Sequence, residues 1–305
     1  MHTGQQDCPF DDLRKAWRFA DENRYAWISV WDHFYEAPYV DGESVTYETV
    51  AAFATLAADT RHARLGCLVF TPGYRSPALL AKMITTLDHI SHGRANLGLG
   101  AGWHRAEYQA YGYGYGPNPE RLDMLEESMA IVQGMLTQHE TTFEGKHFQV
   151  VGAINSPAPI QSKLPVWVGG TGRLRTLRIA ARYADGWNAA YVPADEFKEL
   201  NEVLNDWCGK EGRDPAAIER SINVGFYMGA TEAEAVAIRK QFQDSWKGRR
   251  RPADQAMLIG TVDEVREQIG CYASAGVENL NIAIRPPFNW DALQKFTEEV
   301  MPEFV

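Results

Sequence analysis

Along this chain the apolar pattern switches from short strand-like runs to helical stripes and back, repeatedly and from end to end. Eight runs read as strands: one before Gln5, then Ala26–Trp31, Leu65–Phe70, Ala95–Leu99, Val166–Val168, Gly186–Ala190, Ile222–Tyr227 and Leu280–Ile284. Helical stretches separate them. Asp11–Glu22 places Leu13, Trp17 and Ala20 on one face, Tyr47–Ala58 has Thr46 as its cap, and Pro77–Ile90 follows the third strand. A long helix opens at Asn118-Pro119, with Asn118 as cap and Pro119 at its first position, and runs to about Leu136. Arg173–Tyr183, Glu196–Cys208, Ala233–Phe242, Val262–Ala273 and Asp291–Val300 complete the set. Leu65–Phe70 (LGCLVF) is apolar throughout, as expected of a strand covered on both faces. Such alternation predicts a parallel sheet beneath helices. Eight units in 305 residues predict an α/β fold of the (β/α)8 TIM-barrel type, spanning 1–305 as one domain.

Two segments fit this pattern poorly. Thr141–Leu164 has a Glu144-Gly145 turn between β-like pieces and then a proline-rich connector. It reads as an inserted hairpin and ordered loop over the C-terminal face of the barrel, where it would shape substrate access. The first strand is the other, because only Met1, His2 and Thr3 precede the polar Gly4-Gln5-Gln6.

Composition narrows the function classes. The net charge of −10 argues against nucleic acid as a partner, since that requires a clustered positive surface. No apolar run approaches the length of a membrane span, and no membrane partner is expected. The opening MHTGQQDCPFDDL lacks a basic-then-apolar signal pattern. The four cysteines, Cys8, Cys67, Cys208 and Cys271, are scattered without zinc-like spacing. They read as reduced packing thiols of a cytoplasmic protein, and no metal site is expected.

In a barrel of this type the chemistry sits where strands end. That rule selects Thr3–Gln6, Trp31-Asp32-His33, Phe70-Thr71, Gly100–His104, Gly169–Gly172, Trp187-Asn188, Tyr227 and Arg285. Asp32-His33 is the one acid–histidine pair among them. An imidazole there can take or give a proton, and a carboxylate can orient it, although neighbours on an extended strand point to opposite sides. The stretch Asn96–Gly116 passes from apolar strand to a loop with Gly98, Gly100 and Gly102, which lets a flat or phosphorylated ligand approach the backbone. It is no dinucleotide turn, because Trp103-His104-Arg105 follows in place of an immediate helix. Gly169-Gly170-Thr171-Gly172 precedes a helix, the arrangement of a phosphate site, to which Arg173 and Arg175 could add charge.

These motifs together resemble the bacterial luciferase-like oxidoreductases, most closely the branch that uses coenzyme F420, a deazaflavin. The resemblance lies in TGQQ (Thr3–Gln6), WDHF (Trp31–Phe34), LGCLVFTP (Leu65–Pro72) and GRANLGLGAGWHRAEYQAYG (Gly93–Gly112). It continues through PVWVGGTGRLRTLRIAARYADGWN (Pro165–Asn188) and IGTVDEVREQI (Ile259–Ile269), nearly the whole chain in order. The resemblance implies that Asp32 and His33 lie beside the deazaflavin or flavin ring and carry the catalytic role. It implies a bulge with a non-prolyl cis peptide at Leu68-Val69 supporting that ring, with Thr71 close by. Gly100, Ala101, Gly102 and Trp103 would line the cofactor, and Gly169, Gly170, Thr171 and Gly172 would hold its phosphate. The sugar-phosphate dehydrogenases of the family carry a proton-donating glutamate directly after the glycine loop. Trp103 stands there in this chain, which puts a sugar-phosphate substrate in doubt. The implied activity is hydride transfer between F420 and a small organic substrate by a homodimer. FMN-dependent monooxygenation is the alternative cofactor chemistry, and a flavin-binding protein without turnover is the non-enzymatic one.

Overall fold

The computed structural model describes residues 1–38, 40–245 and 256–304. Its strands in chain order are β1 (His2–Thr3), β2 (Trp27–Val30), β3 (Arg64–Phe70), β4 (Ala95–Leu99), β5 (Thr141–Glu144), β6 (Gln149–Ala153), β7 (Val166–Gly169), β8 (Gly186–Ala190), β9 (Glu219–Met228), β10 (Met257–Gly260) and β11 (Asn279–Ile284). Its helices are α1 (Phe10–Glu22), α2 (Thr49–Asp59), α3 (Pro77–Ile90), α4 (Arg105–Ala110), α5 (Asn118–Thr137), α6 (Thr176–Tyr183), α7 (Ala194–Lys210), α8 (Glu232–Ser245), α9 (Val262–Ser274) and α10 (Trp290–Lys295).

Eight of the strands form a closed parallel barrel in the order β1, β2, β3, β4, β7, β8, β9, β11, with β11 pairing back to β1. They coincide with the eight strands expected from the sequence. The short first strand is real: His2 pairs with Ser29 on one side and Ala283 on the other. Met257–Gly260, which the sequence did not mark, runs along the outer half of β9, from Met257 against Gly225 to Gly260 against Met228. It heightens the barrel wall at the C-terminal end.

The main core lies between barrel and helices, with Leu13, Trp17, Phe53, Leu56, Leu65 and Phe197 among its fully buried side chains. Inside the barrel a second cluster of Trp27, Leu68 and Trp167 fills the floor, the two indoles meeting edge-on at 4.5 Å. Below it Arg64 and Glu219 form a two-pronged ion pair at 2.6 and 2.8 Å. A neutral ladder of Asn188, Ser221, Asn223 and Asn281 spans the interior on the β8–β9–β11 side. Amide and hydroxyl partners satisfy one another in that ladder.

Several local expectations need correction. The cap of α2 is Glu48, whose carboxylate accepts from the Ala51 amide, and Thr46 lies outside the helix. Pro117 holds the cap position of α5, so Asn118 is its first helical residue and Pro119 its second. Helix α6 begins at Thr176, three residues later than Arg173, because Arg173–Arg175 form a turn first. The hairpin β5–β6 exists, but it packs outside the helix layer: the amides of Lys146, His147 and Phe148 bond Glu127 on α5. The connector after it runs along α3, with Asn155 bonded to Thr85 and the Ile160 and Gln161 amides to Asp88. Chain order explains this. The segment follows α5, which has already returned toward the start of the next strand, so no residue of Thr141–Leu164 lines the cavity at the strand ends. No helix among the described residues is long and apolar enough to cross a membrane.

Candidate active site

A cavity of about 1210 Å³ opens at the C-terminal ends of the barrel strands. Asp32, His33, Leu68, Val69, Thr71, Gly100, Ala101, Gly102, Trp103, Gly169, Gly170, Thr171 and Gly172 all border it. The topology therefore gathers into one cavity residues spread over more than 130 positions of sequence.

Just after β2 the chain sends two neighbouring side chains in different directions. Asp32 turns into the protein. Both its carboxylate oxygens accept from Arg75 Nη1 at 2.8 Å, and Oδ2 also accepts from the Thr71 amide at 3.1 Å. Its side chain has no exposed surface. Burial pushes the Asp32 carboxyl up, and Arg75 works against that push. The second arm of Arg75 reaches Glu48 at 2.7 Å, tying the end of β3 to α2. Asp32 thus ties Thr71 and Arg75 to the end of β2 at the border of the cavity.

His33 turns toward the cavity. Its Nδ1 lies 3.0 and 3.1 Å from the two oxygens of Glu107, a residue that sequence reasoning missed. Glu107 also accepts from the Phe34 amide at 2.8 Å, the Tyr35 amide at 2.9 Å and the Tyr74 hydroxyl at 2.7 Å. Burial alone would raise its carboxyl, but His33, the Tyr35 amide and Tyr74 together hold it below the usual carboxylate range. The ionised Glu107 fixes the imidazole proton on Nδ1, which leaves Nε2 as the ring nitrogen available to a ligand. Burial and Glu107 together push the Tyr74 phenol up, so Tyr74 stays a donor. Trp31 and Trp103 flank the imidazole with ring centroids at 5.4 and 5.3 Å. Glu107 escaped notice because it sits on α4, a six-residue helix inside a Gly/Tyr-rich tract that reads as loop.

The glycines also have a packing role that the sequence does not show. The Leu68-Val69 peptide is cis, and the β3–β4 register shifts between Cys67 and Phe70. Val69 thereby projects between neighbouring strands. A Cβ on Gly100 would lie 2.5 Å from Val69 Cγ2, and one on Gly169 would lie 2.7 Å from Val69 Cγ1. A Cβ on Gly98 would lie 2.3 Å from the Cys67 carbonyl. These glycines make room for the protein's own bulge, and Gly100 and Gly169 also border the cavity. Gly102 has φ +74°, and a Cβ there would meet Tyr108 and Thr71 at 2.4 and 2.5 Å. The Thr71 hydroxyl is bonded to that Tyr108 hydroxyl at 2.8 Å. Trp103, by contrast, is 59% exposed, a large indole left on the cavity wall.

At the far end of the cavity Gly170 takes φ +125° and gives its N–H to the Asn188 carbonyl at 3.0 Å. Arg173 and Arg175 both border the cavity at this turn, and each also pairs with a carboxylate, Arg173 with Glu199 at 2.7 Å and Arg175 with Asp123 at 2.8 Å. Arg121 on α5 joins them. It borders the cavity, bonds the Gly102 and Gly116 carbonyls at 3.2 and 2.6 Å, and has no carboxylate partner among the described residues. A Cβ at Gly172 would lie 2.6 Å from the Thr176 hydroxyl, so glycine keeps that hydroxyl open at the turn. An apolar wall of Leu68 and Val69, an exposed indole and a side-chain-free turn beside an arginine fit a tricyclic ring carrying a phosphate tail. Among the described residues no group of His, Cys, Asp and Glu could hold a metal ion.

Residues 1–279 match the family model described as luciferase-like monooxygenase, and the chain belongs to that family. An F420-dependent glucose-6-phosphate dehydrogenase of Segniliparus rotundus is 25% identical over 286 residues, covering 86% of this chain and 84% of that protein. An FMNH(2)-dependent dimethylsulfone monooxygenase of Pseudomonas fluorescens is 26% identical over 203 residues, 67% of this chain and 54% of that protein. An uncharacterized protein of Mycobacterium tuberculosis is 34% identical over 170 residues, 55% of this chain. The match spans 58% of that mycobacterial protein. Among solved structures, an F420-dependent secondary alcohol dehydrogenase with an F420-acetone adduct superposes with TM-score 0.83 at 16% identity, covering 100% of this chain and 99% of that one. At such identity the likeness establishes the barrel fold. The relatives thus include both F420- and FMN-dependent enzymes.

Proposed function

We propose that this chain is an oxidoreductase that transfers a hydride between coenzyme F420 and a small organic substrate, with His33 as its catalytic residue. The observation that carries the reading is the continuity of one cavity. It joins the Glu107-oriented imidazole, the Leu68-Val69 wall and the Gly169–Gly172 turn. Bound F420 supplies the hydride chemistry itself. The chain's own part is to hold ring and substrate together in a water-poor, mostly apolar space. His33 Nε2 then positions or protonates the substrate, while Glu107 keeps the other nitrogen protonated. Asp32 is a positioning residue that acts through Thr71 and Arg75. The Gly169–Gly172 turn and Arg121 hold the phosphate, and Trp103 and Ala101 border the ring.

Trp103 argues against a sugar-phosphate substrate, and Glu107 does not replace the missing acid. Its side chain is fully buried beneath His33 and cannot reach a substrate.

Fluorescence titration of the purified protein with F420 and with FMN tests the reading. Micromolar binding of F420 is expected. Binding of FMN at that level with none of F420 would move the assignment to the FMN monooxygenases, which the same turn and wall could serve. His33→Ala should lower turnover by about 10²–10⁴-fold while cofactor binding stays within about tenfold. Unchanged turnover would remove its catalytic assignment. Cofactor binding with no turnover on any acceptor would leave a binding protein.

A further inference from the structure

The end of the cavity opposite the phosphate turn holds a second arginine whose bonding is incomplete. Arg285 directly follows β11, borders the cavity and is half-buried. Its guanidinium lies over the Trp31 ring at 5.2 Å, and its Nη1 donates to the Ala37 carbonyl. That accounts for one of its five N–H groups. No carboxylate pairs with it among the described residues. The contrast with other arginines is sharp. Arg64 and Arg75 have carboxylates, and Arg94, which has none, is satisfied by the Ser91, Ala63, Ala57 and Thr60 carbonyls and the Thr60 hydroxyl.

A second unspent donor stands beside it. Tyr191 follows β8 at φ +57°, held there by its N–H to the Asn223 carbonyl at 2.9 Å. Its buried hydroxyl turns its oxygen toward the Arg285 guanidinium, and its own O–H has no acceptor among the described residues. Burial pushes that hydroxyl up, and the Arg285 charge opposes the push, which shows how near the two groups are. His2 adds no competing charge, because burial pushes it down to about 3. Pro38, Met257 and Trp31 make the surroundings apolar. A cation with open donors in such a place favours an anion strongly, since water there is scarce and bulk screening weak. Trp31 touches both Arg285 and His33, so a ligand anchored on Arg285 extends over Trp31 toward the imidazole.

We infer that Arg285 and Tyr191 anchor an anionic oxygen group, carboxylate or sulfonate, on the substrate. This rests on the proposed division of the cavity, with cofactor phosphate at the Gly169–Gly172 end and substrate at the other. The substrate class is then an organic acid whose reacting carbon lies a short apolar span from its charge.

Calorimetric titration with benzoate, benzenesulfonate and the neutral isostere benzamide tests this without turnover. At least one acid should bind about tenfold or more tighter than benzamide, and the tighter acid names the anion. Arg285→Met should abolish that preference, Arg285→Lys should restore part of it, and Tyr191→Phe should weaken it about threefold. Equal binding of the acids and benzamide, or no acid binding at about 10 mM, would overturn the assignment. So would a preference that survives Arg285→Met but is lost in Arg121→Met. Should Arg285→Met fail to fold, the wild-type comparison and Tyr191→Phe decide. An Arg285-dependent acid preference in a protein that binds neither F420 nor FMN would keep the anion site and remove the proposed function.

Discussion

Two buried carboxylates sit within one site, and they are held in opposite ways. Asp32 is clamped by a guanidinium, while Glu107 is held by an imidazole, a phenol and two amides. Each side chain is fully buried. The first arrangement is a permanent ion pair that joins β2, β3 and α2. The second is a set of donors around an anion, one of which, His33, also faces the cavity. Adjacent residues on one strand end thus lead to a buried ion pair on one side and to an imidazole facing the cavity on the other. Electrostatic satisfaction alone does not mark a catalytic group. What marks it is a partner with a second, uncommitted polar atom.

The largest expected effect comes from breaking the ion-pair side. Arg75→Met leaves Asp32 buried with the Thr71 amide as its remaining bond, and should cost about 3–5 kcal/mol of stability. Urea unfolding measures this, and a loss under about 1 kcal/mol would show that Asp32 is not a buried charge in need of Arg75. Breaking the other side should show mainly in the chemistry. Glu107→Gln retains an oxygen for the Phe34 and Tyr35 amides but no longer fixes the imidazole proton. Turnover should fall about 10- to 100-fold with a much smaller change in unfolding midpoint. If stability falls and turnover per folded molecule does not, Glu107 belongs with Asp32 as scaffold.

A third expectation concerns the wall between them. Gly100→Ala brings a methyl group against Val69 and should cost about 1–3 kcal/mol. Val69→Ala in the same chain should recover part of that loss, which a double-mutant cycle reads directly. Additive effects would mean that Gly100 serves something other than the bulge.

These contrasts also show what was legible in the sequence. Seven of the eight barrel strands are legible, because each is a largely apolar run bounded by turn residues, whereas β1, His2–Thr3, is polar and too short to stand out. The positions at their ends followed from barrel geometry, which is how His33, Thr71 and Arg285 were selected before any contact was known. Glu107 is not legible, because its helix is a single short stretch and its hydrogen-bond partners come from residues 33–35 and 74. The hairpin was legible as a hairpin but not in its place, since its anchors Glu127 and Asp88 lie on helices whose outer faces sequence periodicity does not distinguish. The packing role of Gly100 and Gly169 is not legible for a related reason. Their missing side chains are filled by Val69, which only the register shift in β3 brings there.

A third carboxylate calibrates the other two. Glu36 accepts from the amides of Val40, Asp41 and Gly42 at 2.8 to 2.9 Å and has neither arginine nor histidine partner among the described residues. Against the upward push of burial, those amides bring its carboxyl down to about 2 from an ordinary 4.5. A folded-state value below the unfolded one means that its stabilisation is fully present above about pH 4.5. It is lost as the pH falls from there toward about 2, where the folded state also takes up the proton. Glu36→Gln keeps an oxygen for the amides and removes the titration. At pH 7 turnover should stay within about twofold, because no partner of Glu36 faces the cavity. The effect should be confined to melting curves between about pH 5 and 3, where the variant should lose stability less steeply than the wild type. Parallel acid limbs in the two proteins would assign the wild-type acid sensitivity to other carboxylates. Glu107, and Asp21 with its amide bonds from Arg61, His62 and Ala63, are the next to substitute. A change in turnover at pH 7 would instead join the Glu36 loop to the His33 side of the site.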